Sequence, residues 1–124
     1  MAYPTDRKYT KDHEWVSVAG DTADIGITDY AQRQLGDVVF VELPEVGKTI
    51  TAGESFGSIE SVKAVSELFA PMSGEVVAVN PYLTDHPEAV NSAPHDTWMV
   101  KIRVTDQAAG DVMDAAAYEA LVKE

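Results

Sequence analysis

Two Gly-Glu steps, Gly53-Glu54 and Gly74-Glu75, stand on either side of Lys63, and each opens a run that reads as a β-strand. A chain with that near-symmetry turns back on itself at the lysine. Lys63 then occupies the tip of a strand–turn–strand within Gly57-Ser58-Ile59-Glu60-Ser61-Val62-Lys63-Ala64-Val65. The turn chemistry allows this without demanding it. Val62-Lys63 is not an Asn-Gly or Asp-Gly signal, but a type I turn accepts almost any residue. A lysine displayed on a tip is within reach of an enzyme that attaches a cofactor to it. An exposed turn lysine is also an ordinary solubilising residue, so position alone names no chemistry.

The rest of the chain is punctuated in the same way. Trp15 to Val18 and Thr22 to Ile27 bracket Ala19-Gly20-Asp21 and read as a hairpin. Thr28 is placed as an N-cap, Ala31 and Leu35 share a helical face, and Gly36 is the stop, which gives a short helix after the first hairpin. Asp37 to Leu43 is apolar on both faces, so the expectation is a well-covered strand. Lys48 to Thr51, Phe56 to Val62, Val65 to Phe69 and Glu75 to Val79 are further short strands separated by Gly- and Pro-containing turns. Asn80 to Pro94 is a polar excursion with a short helix expected around Pro87 to Val90, in which Tyr82 and Leu83 are expected core contacts. Trp98, Val100, Ile102 and Val104 then alternate with Met99, Lys101 and Arg103, the clearest one-sided strand. In the tail, Met113, Ala116, Ala117, Ala120 and Leu121 fall on one helical stripe, read as a packing face. This predicts a C-terminal helix over 111–123, capped by Asp111 or Asp114. Residues 1–8 are expected to be a loose extension. The pattern predicts a mainly β domain, a small sandwich or barrel with helical additions, spanning residues 1–124 as one unit.

Composition narrows the function classes. There is no cysteine, which excludes disulfides, thiolate catalysis and Cys-ligated metal centres. Nine basic against 21 acidic residues give a formal charge of −12, which argues against nucleic acid and anionic membranes and for partners with basic surfaces. Apolar runs of about five residues fall far short of a bilayer span of roughly 20. No apolar or Arg-rich leader precedes the first strand, so a mature soluble chain is expected. His13, His86 and His95 lack metal-ligand spacing, and the last two are expected in a solvated loop. No Gly-x-Ser-x-Gly elbow, Walker motif or dinucleotide glycine pattern occurs.

Glu60 lies three residues before Lys63 and Glu67 four after it, placed to orient a ligase or attract a cationic group. The motif Glu60-Ser61-Val62-Lys63-Ala64, followed by Phe69-Ala70-Pro71 and Ser73-Gly74-Glu75-Val76, resembles a lipoyl-attachment site. Further blocks are His13-Glu14-Trp15-Val16, Gly26-Ile27-Thr28-Asp29-Tyr30-Ala31 and Leu35 to Pro44. Together they resemble the H proteins of the glycine cleavage system, from about Tyr9 to Leu121. Lipoyl domains of 2-oxoacid dehydrogenases usually carry Asp-Lys-Ala at the tip, where this chain has Val62-Lys63-Ala64, and the Met-Lys-Met of biotin carriers is absent. The stretch Ser92 to Trp98 is shorter and less glycine-rich than the family's usual approach to its tryptophan.

The resemblance implies a lipoyl-domain fold of the barrel-sandwich hybrid, or hammerhead, type. It implies covalent lipoate on Lys63, with Glu60, Ser61, Val62 and Ala64 recognised by a lipoyl ligase or transferase. The chain would be a monomeric non-catalytic carrier of the aminomethyl group of glycine. Its partners would be the pyridoxal-phosphate glycine decarboxylase, the tetrahydrofolate-dependent aminomethyltransferase and dihydrolipoyl dehydrogenase. Glu14 matches a family position associated with holding the arm, and Glu67 is a second candidate anion for the same cleft. The expected location is bacterial cytoplasm, or mitochondrial matrix if a leader has been removed. Two other readings stay open: a lipoyl relay protein that hands lipoate to other acceptors, and an unmodified acidic interaction module.

Overall fold

The computed structural model describes residues 3–106 and 112–122. In chain order the elements are β1 (Lys8–Thr10), β2 (Glu14–Ala19), β3 (Thr22–Ile27), α1 (Asp29–Leu35), β4 (Val38–Glu42), β5 (Thr49–Ile50), β6 (Ser55–Ser61), β7 (Val65–Phe69) and β8 (Ser73–Val79). The excursion that follows carries α2 (Tyr82–Asp85) and α3 (Ala89–Ser92), and the chain ends with β9 (Val100–Asp106), β10 (Val112–Met113) and α4 (Ala115–Leu121). The mainly β class is as expected, with helices after the first hairpin and at the end.

The strands form two sheets. Seven are ordered β10-β1-β2-β3-β9-β8-β5, and three are ordered β4-β6-β7. Every pairing is antiparallel. One apolar cluster lies between the sheets, built from alternate residues such as Val16, Ile25, Ile59, Val76 and Ile102 together with Leu35, Leu83 and Val90 from the helices. A second cluster joins the two ends of the chain: Tyr3, Tyr9 and Trp15 meet Ala115, Tyr118 and Val122. Tyr9 and Tyr118 stack at 4.9 Å, with the Tyr3 ring edge-on to both. Within the expected loose extension 1–8, therefore, Tyr3 is buried and Lys8 opens β1.

Several expectations need correction. β4 is not covered on both faces: Val39 is 50% and Phe40 53% exposed. The register shifts between Val38 and Phe40 where β4 pairs with β6, so consecutive residues point outward, and only one face of the three-stranded sheet meets the core. The tail helix begins at Ala115, with Met113 in a strand and Asp114 as the cap, accepting from Ala117 N at 2.9 Å. Asp111, the other proposed cap, lies outside the described residues. The helix buries Ala115, Tyr118 and Val122, while Ala116, Ala117, Ala120 and Leu121 face solvent. Burying one tyrosine removes more apolar surface than burying an alanine stripe, so Tyr118 sets the rotation. Tyr82 is 57% exposed and stacked on His86, whereas its neighbour Leu83 is in the core. His95 is not in a solvated loop: it is half-buried and its Nε2 accepts from Asp29 N at 3.1 Å.

Candidate functional site

β6 and β7 meet in register as far as Glu60 opposite Val65, leaving Ser61 to Ala64 as the turn. Ser61 builds that turn. Its N–H donates to Ala64 O at 2.8 Å, and its hydroxyl oxygen accepts from Ala64 N at 3.0 Å and from Lys63 N at 3.3 Å. A serine at the start of a turn can supply these bonds where no Asn-Gly pair is present. Lys63 sits at the apex, exposed, beside Val62 at 69% and Val65 at 67% exposure. The turn also touches the body. Val62 N donates to Asp37 O at 3.0 Å, in the corner between α1 and β4. The Lys63 stem passes over Gly36 in the same corner.

Next to this corner is a cleft of about 140 Å³ between α1 and the β6–β7 hairpin. Leu35, Ile59 and Leu68 give it apolar walls, and Glu14 and Glu67 both line it. The sequence placed these two carboxyl groups far apart along the chain; the fold brings them to one cavity. They differ in setting. Glu67 is exposed on β7, whereas Glu14 is 2% exposed. Glu14 accepts from the Thr10 hydroxyl at 2.8 Å and from Phe69 N at 3.2 Å. Burial pushes its carboxyl up to about 8, against the pull of those two bonds. A larger groove, about 620 Å³, runs along Glu42 to Lys48 and Phe56, at the end of β4 away from the lysine turn.

His13 also lines the cleft, and it is the one non-glycine residue with positive φ (70°) among the described residues. Its N–H donates to Thr10 O at 3.0 Å, closing the tight β1–β2 turn that aims Glu14 inward. His13 Nδ1 lies 2.9 Å from the Tyr118 hydroxyl, which is 2.7 Å from Thr28 Oγ1, the N-cap of α1. Burial lowers the His13 pKa and raises that of Tyr118. The C-terminal helix is thereby tied to the start of the helix that walls the cleft. Nothing in the local sequence signalled His13 or Tyr118 in this role, because their meeting depends on partners 105 residues apart.

The glycine cleavage H-protein family model matches residues 7–124. This chain belongs to the glycine cleavage H-protein family. It is 59% identical to the glycine cleavage system H protein of Koribacter versatilis over 125 residues, covering all of this chain and 97% of that one. It is 56% identical to that of Geobacillus kaustophilus over 126 residues, covering 100% and 99% of the two chains. The fold matches the crystal structure of a glycine cleavage system H protein from Mycobacterium marinum with a TM-score of 0.90 at 43% identity, covering 95% of this chain and 97% of that one. H proteins are carrier components of the glycine cleavage system and not catalysts by themselves. That role agrees with a site made of one displayed lysine and an adjoining cleft. Family membership also implies a lipoate-bearing chain that meets other components of the system. No helix of the described residues is long and apolar enough to cross a membrane.

Proposed function

We propose that this chain is a single lipoyl-carrier domain in which lipoate is attached through an amide to Lys63. The carrier would shuttle the aminomethyl group of glycine among three components: glycine decarboxylase, the tetrahydrofolate-dependent aminomethyltransferase and dihydrolipoyl dehydrogenase. The observation that carries this reading is the exposed Lys63 at the apex of a turn fixed by Ser61. The residues present fit the cofactor. A solvent-facing amine is open to an acylating enzyme, and the adjoining cleft offers apolar walls with two carboxyl groups to a flexible apolar chain that can end in a cation. When bound, lipoate supplies a dithiolane whose sulfurs accept the aminomethyl group and are afterwards left as a dithiol, which explains sulfur chemistry in a chain without cysteine.

The protein's own residues then have distinct tasks. Ser61 holds the turn. Glu60, Val62 and Ala64 present an acidic and apolar surface around the amine for a lipoyl ligase or transferase. Leu35, which lines the cleft, directly precedes Gly36 under the Lys63 stem, so an arm on Lys63 would start beside the cleft. Glu67 and Glu14 would hold the cationic end of the loaded arm there and keep water from it; Glu14, protonated before the arm enters, would be drawn to its ionised form by the arriving cation. A cytoplasmic setting suits these parts, where the ligase and partner enzymes are available.

Intact-mass measurement with a lipoyl ligase tests the attachment. We expect a gain of one lipoyl group in the wild-type chain and none in Lys63→Ala. A wild-type chain that gains no mass overturns the carrier reading and favours the acidic interaction module. Glycine-dependent ammonia release with the partner enzymes supports the shuttle; a lipoylated chain that supports none is the relay protein instead. For the cleft, Glu14→Ala and Glu67→Ala should each shorten the lifetime of the aminomethyl load without partner enzymes. An unchanged lifetime removes that residue from the role.

A further inference from the structure

The lysine turn is seated on the protein by a side chain distant in sequence. Asn91, on α3, spans the α1–β4 corner. Its Nδ2 donates to Gly36 O at 2.8 Å and to Gln32 Oε1 at 3.1 Å, and its Oδ1 accepts from Val38 N at 2.8 Å. The two backbone bonds bracket Asp37, whose carbonyl oxygen accepts from Val62 N at 3.0 Å. Gly36 completes the corner. It closes α1 through Gly36 N to Gln32 O at 3.0 Å, with φ 78° and ψ −157°, a conformation that only glycine adopts without strain. A Cβ at Gly36 would come within 3.3 Å of Lys63 Cε. The bare backbone at Gly36 lets the lysine stem lie against the corner; a Cβ there would make the stem give by a few tenths of an ångström.

We propose that Asn91 and Gly36 are positioning residues for Lys63, fixing the Asp37 carbonyl and the bare backbone on which the lysine turn is aligned for acylation. The inference rests on the reading that Lys63 is the lipoylated residue. A hairpin tip carried only by its own strands would sweep a range of orientations. One pinned by Val62 presents the base of the lysine stem in one direction and so narrows the range its amine sweeps, and orientation of a reacting group is a large part of rate. Neither residue touches an incoming enzyme in this account, so they set the turnover of ligation and leave its affinity unchanged.

The experiment compares wild-type chain, Asn91→Ala and Asn91→Asp as substrates of a lipoyl ligase, reading intact mass over time, with amide hydrogen exchange at Val62 recorded in parallel. Asn91→Asp keeps the acceptor for Val38 N and loses the donor to Gly36 O at almost unchanged volume, and it serves if the alanine variant does not fold. The expected result is a kcat about ten-fold lower at unchanged KM, with faster exchange at Val62. Asn80→Ala is the control, because Asn80 also ties the excursion together, through Trp98 O and Tyr82 N, without touching the corner. It should lower stability and leave ligation alone. A wild-type ligation rate in the Asn91 variants, or unchanged Val62 exchange, overturns the positioning role while leaving the carrier reading intact. Loss of ligation in Asn80→Ala equal to that in Asn91→Ala also overturns it, since general destabilisation would then suffice. A wild-type chain that is not modified at all sinks the carrier reading and this role with it.

Discussion

A carboxyl group as enclosed as Glu14 keeps its proton in the folded chain at a pH where the unfolded chain has already lost it. The group is pushed from an ordinary value of 4.5 up to about 8. Between these values the folded state binds more protons than the unfolded one, so stability falls as pH rises through this window. Below about 4.5 the contribution is fully present, and above about 8 it is gone. Glutamine mimics the protonated acid: its carbonyl can accept from Phe69 N and its amide can face Thr10 Oγ1. Glu14→Gln should therefore gain stability over the wild-type chain as pH rises, and urea unfolding at two pH values checks it. The gap should widen between about pH 6 and pH 9 by about 2.5–3 kcal/mol, taking roughly 1.4 kcal/mol per pK unit over about two units. A gap independent of pH would mean that Glu14 stays ionised in the fold. The sequence identified this residue through its His13-Glu14-Trp15-Val16 block, but not its burial, which depends on Phe69 from another sheet. The exposed turn at Lys63, by contrast, was legible as a possibility the local pattern allowed, while its anchoring to Asp37 O was not, because that contact comes from outside the hairpin.

Elements were legible where the signal is short-range. Thr28 caps α1 as its side chain predicts, accepting from Ala31 N at 3.2 Å, and Ala31 and Leu35 fill the face that the spacing assigns. The alternation of Val100 and Ile102 places the body of β9 correctly, but the strand starts at Val100 rather than Trp98, and Met99, expected on the outward face, is buried. The period of the tail was legible but its phase was not, because a helix offering both an alanine stripe and a lone tyrosine is rotated by whatever it meets. What α4 meets is aromatic: Tyr3 and Tyr9. That makes Tyr118 the element's anchor and Leu121 a surface residue. Tyr118→Phe keeps the stack but removes the hydroxyl from Thr28 and His13. Equilibrium unfolding should show a loss of about 1–3 kcal/mol, the usual effect of orphaning a buried hydrogen-bond partner. Leu121→Ala should cost less than about 0.5 kcal/mol. If Leu121→Ala proved the more damaging of the two, the helix would be rotated as the alanine stripe suggests.

The arrangement of the two sheets could not be read from period-2 patterning, which marks strands but does not say which of them pair. β3 lies beside β9, and Trp15 Nε1 donates to Pro94 O across 79 residues. Net charge, which is legible without any fold, acts at the scale of the whole molecule. With 21 acidic and nine basic residues, several cations are held in local pairs: Lys101 with Asp24, Arg103 with Glu75 and Arg7 with Asp6. Exposed pairs of this kind contribute about 0–1 kcal/mol each. The surplus of acidic over basic residues repels across the surface, which opposes the compact state. Salt acts on both terms. Raising NaCl from about 10 mM to about 0.15 M shortens the screening length from about 30 Å to about 8 Å. That weakens contacts of a few ångströms little and carboxylate repulsion across the molecule a great deal. The melting temperature near neutral pH should therefore rise with added NaCl, most steeply at the lowest concentrations, and level off once the screening length falls below the spacing of the surface charges. Differential scanning calorimetry across such a series measures it directly. A melting temperature that fell with salt would show that the ion pairs outweigh the surplus charge.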